Sequence, residues 1–155
     1  MNDEKYDSYN DTANHIRRVQ SLITDMVAQL VMRRINHDQS KLHAPEKEIF
    51  DIYTPKLKGT TYGSEEYKQY LSEMQVALKH HYENNQHHPE HFKNGVNEMS
   101  LIDLIEMICD WKAATERHAD GSIVASLAIN KKRFGISDQL IQVMENTCKS
   151  MDWIP

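Results

Sequence analysis

Between residues 11 and 34, apolar side chains return every three or four positions, at Val19, Leu22, Ile23, Met26, Val27, Leu30 and Val31. This matches the 3.6-residue helical turn and predicts a long amphipathic helix. A second element starts over residues 36–42. Pro45 suits the first turn of another helix, with Glu46 and Glu48 near its N-terminus. Pro55 and Gly59 are expected to break the chain. Ser64 is a plausible N-cap, with Glu65 and Glu66 in the first turn. That helix is expected to run through Tyr67, Tyr70, Leu71, Met74 and Leu78 to about residue 84. Pro89 and Gly95 bracket an irregular segment. Ser100-x-x-Asp103 resembles a capping box and opens a long apolar helix to about residue 119. Asp120-Gly121 signals a turn, and Ser122 and Ser137 are N-cap candidates for two last helices separated by Gly135.

No alternating strand pattern of useful length occurs, and there are only five glycines and four prolines. The fold class expected is all-α, a compact single-domain bundle over residues 1–155, with 1–10 as a flexible N-terminus. The length of 155 residues suits one core of ordinary size. With 39% hydrophobic and 26% charged residues, the chain reads as globular rather than disordered.

The formal net charge of −5 excludes a broad basic surface, so binding to a nucleic acid duplex is not expected. The two cysteines, Cys109 and Cys148, have no Cys-x-x-Cys spacing, which argues against a disulfide framework or a zinc ribbon. Met1-Asn2-Asp3-Glu4-Lys5 lacks the features of a secretory signal, and no apolar run approaches the roughly 20 residues a membrane span needs. A cytoplasmic location without membrane association is therefore expected.

Histidine changes the picture. Five of the nine histidines fall between His80 and His91, a density that suggests metal binding or, more simply, a solvated polar loop. His81 and His88 are seven residues apart, as are His80 and His87, so either pair would share a face if the helix continued. His91 and His43 are weaker candidates, and His118 is expected at a helix C-terminus. His37 and Asp38 form a doublet, and Lys41 three residues on could reach an anion held at a metal. His15 shares a face with Val19, Leu22 and Met26, with Asp11 one turn before it. It is either a hydrogen-bonded core residue or a ligand that Asp11 orients or accompanies.

Asp103, Glu106 and Asp110 form a narrow stripe on an otherwise apolar helix. Burying an unpaired carboxylate costs several kcal/mol, so cations or a metal are expected beside them unless the stripe faces water. The motif His-Glu-x-x-His, the Gly-x-Ser-x-Gly elbow and the phosphate loop are all absent. Cys109 lies in an apolar run. Nucleophilic catalysis by a side chain is therefore not favoured over a metal-bound water.

This ordered set resembles the HD-domain superfamily of metal-dependent phosphohydrolases. His15, His37, Asp38 and Asp110 match the family's order of a first-helix histidine, a His-Asp doublet and a later aspartate. His37-Asp38-Gln39-Ser40-Lys41 is similar to the His-Asp-Ile-Gly-Lys motif of the HD-GYP branch, with serine in place of glycine. His87-His88-Pro89-Glu90 resembles that branch's His-His-Glu segment, and Ile108-Cys109-Asp110 with Lys112-Ala113 resembles its Val-Ala-Asp-x-x-Asp-Ala stretch, which favours Asp110 over Asp103. Asp11 also matches an acidic ligand position of some multi-metal members. The likeness covers about residues 11–114. No Gly-Tyr-Pro follows His88, so cyclic-dinucleotide phosphodiesterase activity does not carry over. The whole chain also resembles a small family from bacteriophages and bacteria marked by His-His-Pro-Glu-His and Asp-Trp-Lys-Ala, a likeness that implies no activity.

The resemblance implies an HD-like bundle with His15, His37, Asp38 and Asp110 as the core metal site. His81 and His88, with His80 and His87 as alternates, would complete a second position. One or two divalent ions among Mn, Fe, Co, Ni and Zn are implied. The implied activity is hydrolysis of a nucleotide or other small phosphate ester by a metal-activated water. Lys41 would neutralise phosphoryl charge, and Glu106 would shuttle a proton or support a ligand. The alternatives are an HD-fold di-iron oxygenase, a non-catalytic domain that binds a nucleotide or partner, and a structural metal site. The last two helices could close the core or form a homodimer face, and the basic Lys131-Lys132-Arg133 run could steer an anion.

Overall fold

The computed structural model describes residues 6–61, 64–117 and 121–154. The opening residues 1–5, His118, Ala119 and Asp120 lie outside the described residues, and with them the predicted roles of His118 and the Asp120 turn. Every regular element among the described residues is helical. No helix there is long and apolar enough to cross a membrane. The chain divides into two compact units, Met1–Ile35 and Asn36–Pro155.

The first unit is built on α1 (Tyr9–Asn36), the long helix the apolar periodicity predicts. It takes in Tyr9 and Asn10, which were expected to belong to a flexible N-terminus. The second unit begins as α1 ends. A 3-10 turn over Gln39–Leu42 leads into α2 (Glu46–Lys58). Next come α3 (Glu65–Glu73) and α4 (Gln75–Asn84), then 3-10 turns at Pro89–His91 and Gly95–Glu98. Three helices complete the unit: α5 (Leu101–Thr115), α6 (Ile123–Phe134) and α7 (Asp138–Ser150).

The caps are where the side-chain chemistry puts them. Ser64, Ser100, Ser122 and Ser137 each accept a backbone N–H from three residues on. At Ser100 the box is reciprocal, because the Asp103 carboxylate accepts the Ser100 N–H at 2.8 Å. Gly135 closes α6 at φ 63°, a left-handed position that suits a residue without Cβ.

Three boundaries differ from expectation. Pro55 does not break α2 but lies inside its last turn. It is exposed there, and only one backbone bond of an already ending helix is lost. The predicted helix over 64–84 is divided at buried Met74. The Gln75 side-chain amide donates to the Leu71 carbonyl at 3.1 Å, taking the acceptor a continuous helix would give to the Gln75 N–H. α5 stops at Thr115, whose hydroxyl donates to the Lys112 carbonyl at 2.7 Å and competes with the next turn.

The main core of the second unit joins α5, α6 and α7. Met107, Ile108 and Trp111 pack with Ile123, Leu127, Ile136, Ile141, Met144 and Cys148. Trp111 stacks on Phe134 at 6.2 Å between ring centroids, nearly parallel. This packing fixes the rotation of α5. Glu106 and Asp110 project from another face, toward His37 and the His87-His88 segment.

Candidate metal centre

Asp38 sets the geometry. Its backbone is left-handed, φ 55° and ψ 15°, a conformation a short polar side chain tolerates. The 3-10 turn that follows returns Lys41, whose ammonium donates to Asp38 Oδ2 at 2.6 Å and lies 5.5 Å from the Phe50 ring centroid. The other carboxylate oxygen, Asp38 Oδ1, lies 3.4 Å from His81 Nε2 and 3.5 Å from His87 Nε2.

α4 delivers His80 and His81 at its C-terminal end. Asn85 ties this end down, its amide donating to the His81 carbonyl at 2.8 Å and to Ser40 Oγ at 2.9 Å. The extended residues beyond bring His87 and His88 back over the turn. His81 Nε2 and His88 Nε2 lie 2.9 Å apart, and the His87 and His88 ring centroids 4.1 Å apart. α5 contributes Glu106 and Asp110, one turn apart on the same face. Glu106 Oε1 meets His37 Nδ1 at 2.9 Å and His87 Nδ1 at 3.2 Å. Asp110 Oδ1 is 3.7 Å from His37 Nε2, an ion-pair distance rather than a hydrogen bond.

Three overlapping groups of donors have atoms close enough to share one cation: Asp38, His81, His87 and His88; His37, Asp38 and Asp110; and His37, His87 and Glu106. Asp38 belongs to the first two. Two atoms here, Asp38 Oδ1 and His87 Nε2, are buried without a hydrogen-bond partner. A buried polar atom without a partner is costly, and two of them facing each other at 3.5 Å fit a shared cation. The donor set, imidazole with carboxylate, has the chemistry of a transition-metal site.

Electrostatics distinguish the rings. The Asp110 and Glu106 carboxylates hold the His37 imidazole up to about 10 against the opposing effect of burial, so a cation bound at one of its nitrogens would displace a proton. Burial pushes His88 down to about 3 and also lowers His81, which leaves both as neutral rings with a lone pair to donate. Burial raises the Asp38 carboxyl, but the Lys41 charge and hydrogen bond outweigh it and keep the group ionised. At Asp110 burial is likewise outweighed, by the contact with His37 and the nearby Lys41 charge.

The predicted residues thus divide. His37, Asp38, His81, His87, His88 and Asp110 come together, so both His81-His88 and the alternate His87 are at the cluster. His80 turns instead to Glu46, with its Nδ1 2.7 Å from Oε1. Asp103 is held by the capping box. His91 Nδ1 meets the Tyr82 carbonyl at 2.8 Å, a structural contact. His15 and Asp11 are on α1, where Asp11 accepts the Tyr6 hydroxyl; the cluster described draws its residues from the second unit. Two participants were not legible. Fully buried Glu46 meets His81 Nδ1 at 3.0 Å through Oε2, and Asn85 anchors α4. An acidic residue after Pro45 looks like any solvated helix start, so nothing local marks Glu46 as buried.

The fold and cluster define an all-helical protein with a histidine- and carboxylate-rich centre. The chain belongs to the family of unknown function DUF5662, whose model matches residues 4–150. No curated protein and no solved structure matches it.

Proposed function

We propose that this protein is a metal-dependent phosphohydrolase acting on a nucleotide or another small phosphate ester. One observation carries the reading: the buried Asp38 Oδ1 and His87 Nε2, neither with a hydrogen-bond partner, face each other among further imidazole nitrogens, with a lysine alongside. His81, His87, His88 and Asp38 Oδ1 would hold one divalent ion among Mn, Fe, Co, Ni and Zn. His37, Asp110 and Asp38 Oδ2 would hold a second, so that Asp38 serves both. When bound, such ions supply an activated water and Lewis acidity toward phosphoryl oxygens.

The remaining chemistry belongs to the chain. Lys41 is tethered to Asp38 and partly open to solvent, so its charge is available to a phosphoryl group held at the cluster. Neutral His81 and His88 donate lone pairs without a proton having to leave first. The order His37-Asp38, His87-His88, Asp110 supports the HD-domain likeness, and that likeness supports phosphate esters as the substrate class.

The test is elemental analysis of purified protein followed by assay. p-Nitrophenyl phosphate, its diester and a nucleotide panel are assayed under each metal, with and without oxygen. Metal-dependent, oxygen-independent hydrolysis that is lost in the His37→Ala Asp38→Ala protein is expected. A requirement for both ferrous iron and oxygen would make the protein an oxygenase, and tight nucleotide binding without turnover under any metal would make it a binding module.

A further inference from the structure

The outward-facing nitrogens of three histidines share a pattern. His37 Nδ1 and His87 Nδ1 both meet Glu106 Oε1, at 2.9 and 3.2 Å. His81 Nδ1 meets Glu46 Oε2 at 3.0 Å; Ser40 Oγ lies 3.4 Å from it, and the Asn85 amide nitrogen 3.0 Å, its two hydrogens being used on the His81 carbonyl and Ser40 Oγ. In each ring the opposite nitrogen, Nε2, is the one nearest the shared carboxylate, Asp38: 3.6 Å for His37, 3.5 Å for His87 and 3.4 Å for His81.

A carboxylate only accepts, so a ring nitrogen against it must carry the proton. A neutral imidazole has one N–H and one lone pair. A proton fixed on Nδ1 therefore leaves the lone pair on Nε2. His87 Nε2, buried and without a hydrogen-bond partner, is such an atom. Glu46 is fully buried and uses its second oxygen on His80 Nδ1, at 2.7 Å. His80 thus steadies the carboxylate that steadies His81. Resting on the metal reading above, we propose that Glu106 and Glu46 are positioning residues, which fix Nε2 of His37, His87 and His81 as the metal-binding atoms. Glu106 then acts through two rings at once, rather than as a proton shuttle or a ligand. A carboxylate behind a metal-binding histidine sets its tautomer and raises its basicity, and its loss weakens metal binding by about 10–100-fold.

The experiment loads the ¹⁵N-histidine-labelled full chain with ¹¹³Cd²⁺ and records long-range ¹H–¹⁵N spectra. The expected result is protonated Nδ1 and cadmium-coupled Nε2 on His37, His81 and His87. Cadmium competition titrations of Glu106→Ala and Glu46→Ala should show a roughly 10–100-fold rise in Kd. Glu106→Gln, which keeps an acceptor, should recover part of that loss. Cadmium coupled to Nδ1 of His37 or His87 overturns the inference, as does an affinity within twofold of wild type in a folded alanine variant. Wild-type protein that binds no cadmium overturns the metal reading and this inference with it. If the alanine variants do not fold, the wild-type tautomers and couplings decide the question.

Discussion

Replacing Asp38 by asparagine separates metal binding from folding, because it should weaken the first far more than the second. Asparagine keeps the volume and tolerates the left-handed φ of 55°, so the turn into Gln39–Leu42 persists. In the metal-free protein the substitution removes the Lys41 ion pair at 2.6 Å, a part-buried, charge-assisted contact of about 1.5–3 kcal/mol. It also removes a buried charged oxygen without a hydrogen-bond partner, whose burial costs about 1–3 kcal/mol, a cost that the Lys41 contact outweighs. The metal-free variant should therefore melt at or slightly below the wild-type temperature. Metal binding should weaken severely, since Asp38 is the carboxylate common to two donor groups. If a four-ligand site is worth roughly 12 kcal/mol, one ligand contributes about 3 kcal/mol, or on the order of a hundredfold in Kd. At a free metal concentration about 100 times the wild-type Kd, linkage stabilises wild type by ~2.7 kcal/mol and the variant by ~0.4 kcal/mol. For a chain of this size, the corresponding shifts in Tm are about 5–10 °C and about 1 °C. Thermal melts with chelator and with metal measure both quantities. A variant that keeps the full metal-induced shift would refute the reasoning, and so would a metal-free variant that melts many degrees lower.

Lys41→Met should leave metal content unchanged and lower kcat by about 10²–10³, the loss typical of removing one preorganised charge; steady-state kinetics at saturating metal check this. The metal-free protein should be most stable near pH 6.5 as far as His37 and His88 govern it. His37 is raised from 6.5 to about 10, so its contribution is complete below 6.5 and is lost as pH rises toward 10. His88 is lowered from 6.5 to about 3, so the unfolded chain takes up the proton first and stability falls as pH drops from 6.5 toward 3. Melts in chelator across this range should give a bell, and His37→Gln should flatten its alkaline side; a melting temperature that climbs steadily to pH 9.5 contradicts the assignment. Ser100→Ala should remove the capping box of α5, cost about 1 kcal/mol and lower Tm by about 2–4 °C, with metal stoichiometry by elemental analysis unchanged.

The sequence alone determined what is decided within about a turn of helix. The apolar spacing of α1, the serine caps at Ser64, Ser100, Ser122 and Ser137, and the glycine end of α6 depend on neighbours a few residues away, so composition and spacing expose them. The His37-Asp38 doublet, the histidine-rich segment and the acidic stripe of α5 were legible as donors for the same reason. Tertiary structure alone decided how those donors pair. His37 and Glu106 are 69 residues apart, and Glu46 and His81 are 35 apart. No local pattern could say that Glu106 holds two imidazoles, or that His80 stays with Glu46 while His81 reaches on to Asp38. Those choices follow from the rotation of α5, fixed by Met107, Ile108 and Trp111 in the core, and from the docking of α4 through Asn85. Side chains on one short segment become chemically distinct only when separate helices settle which of them is buried and against what.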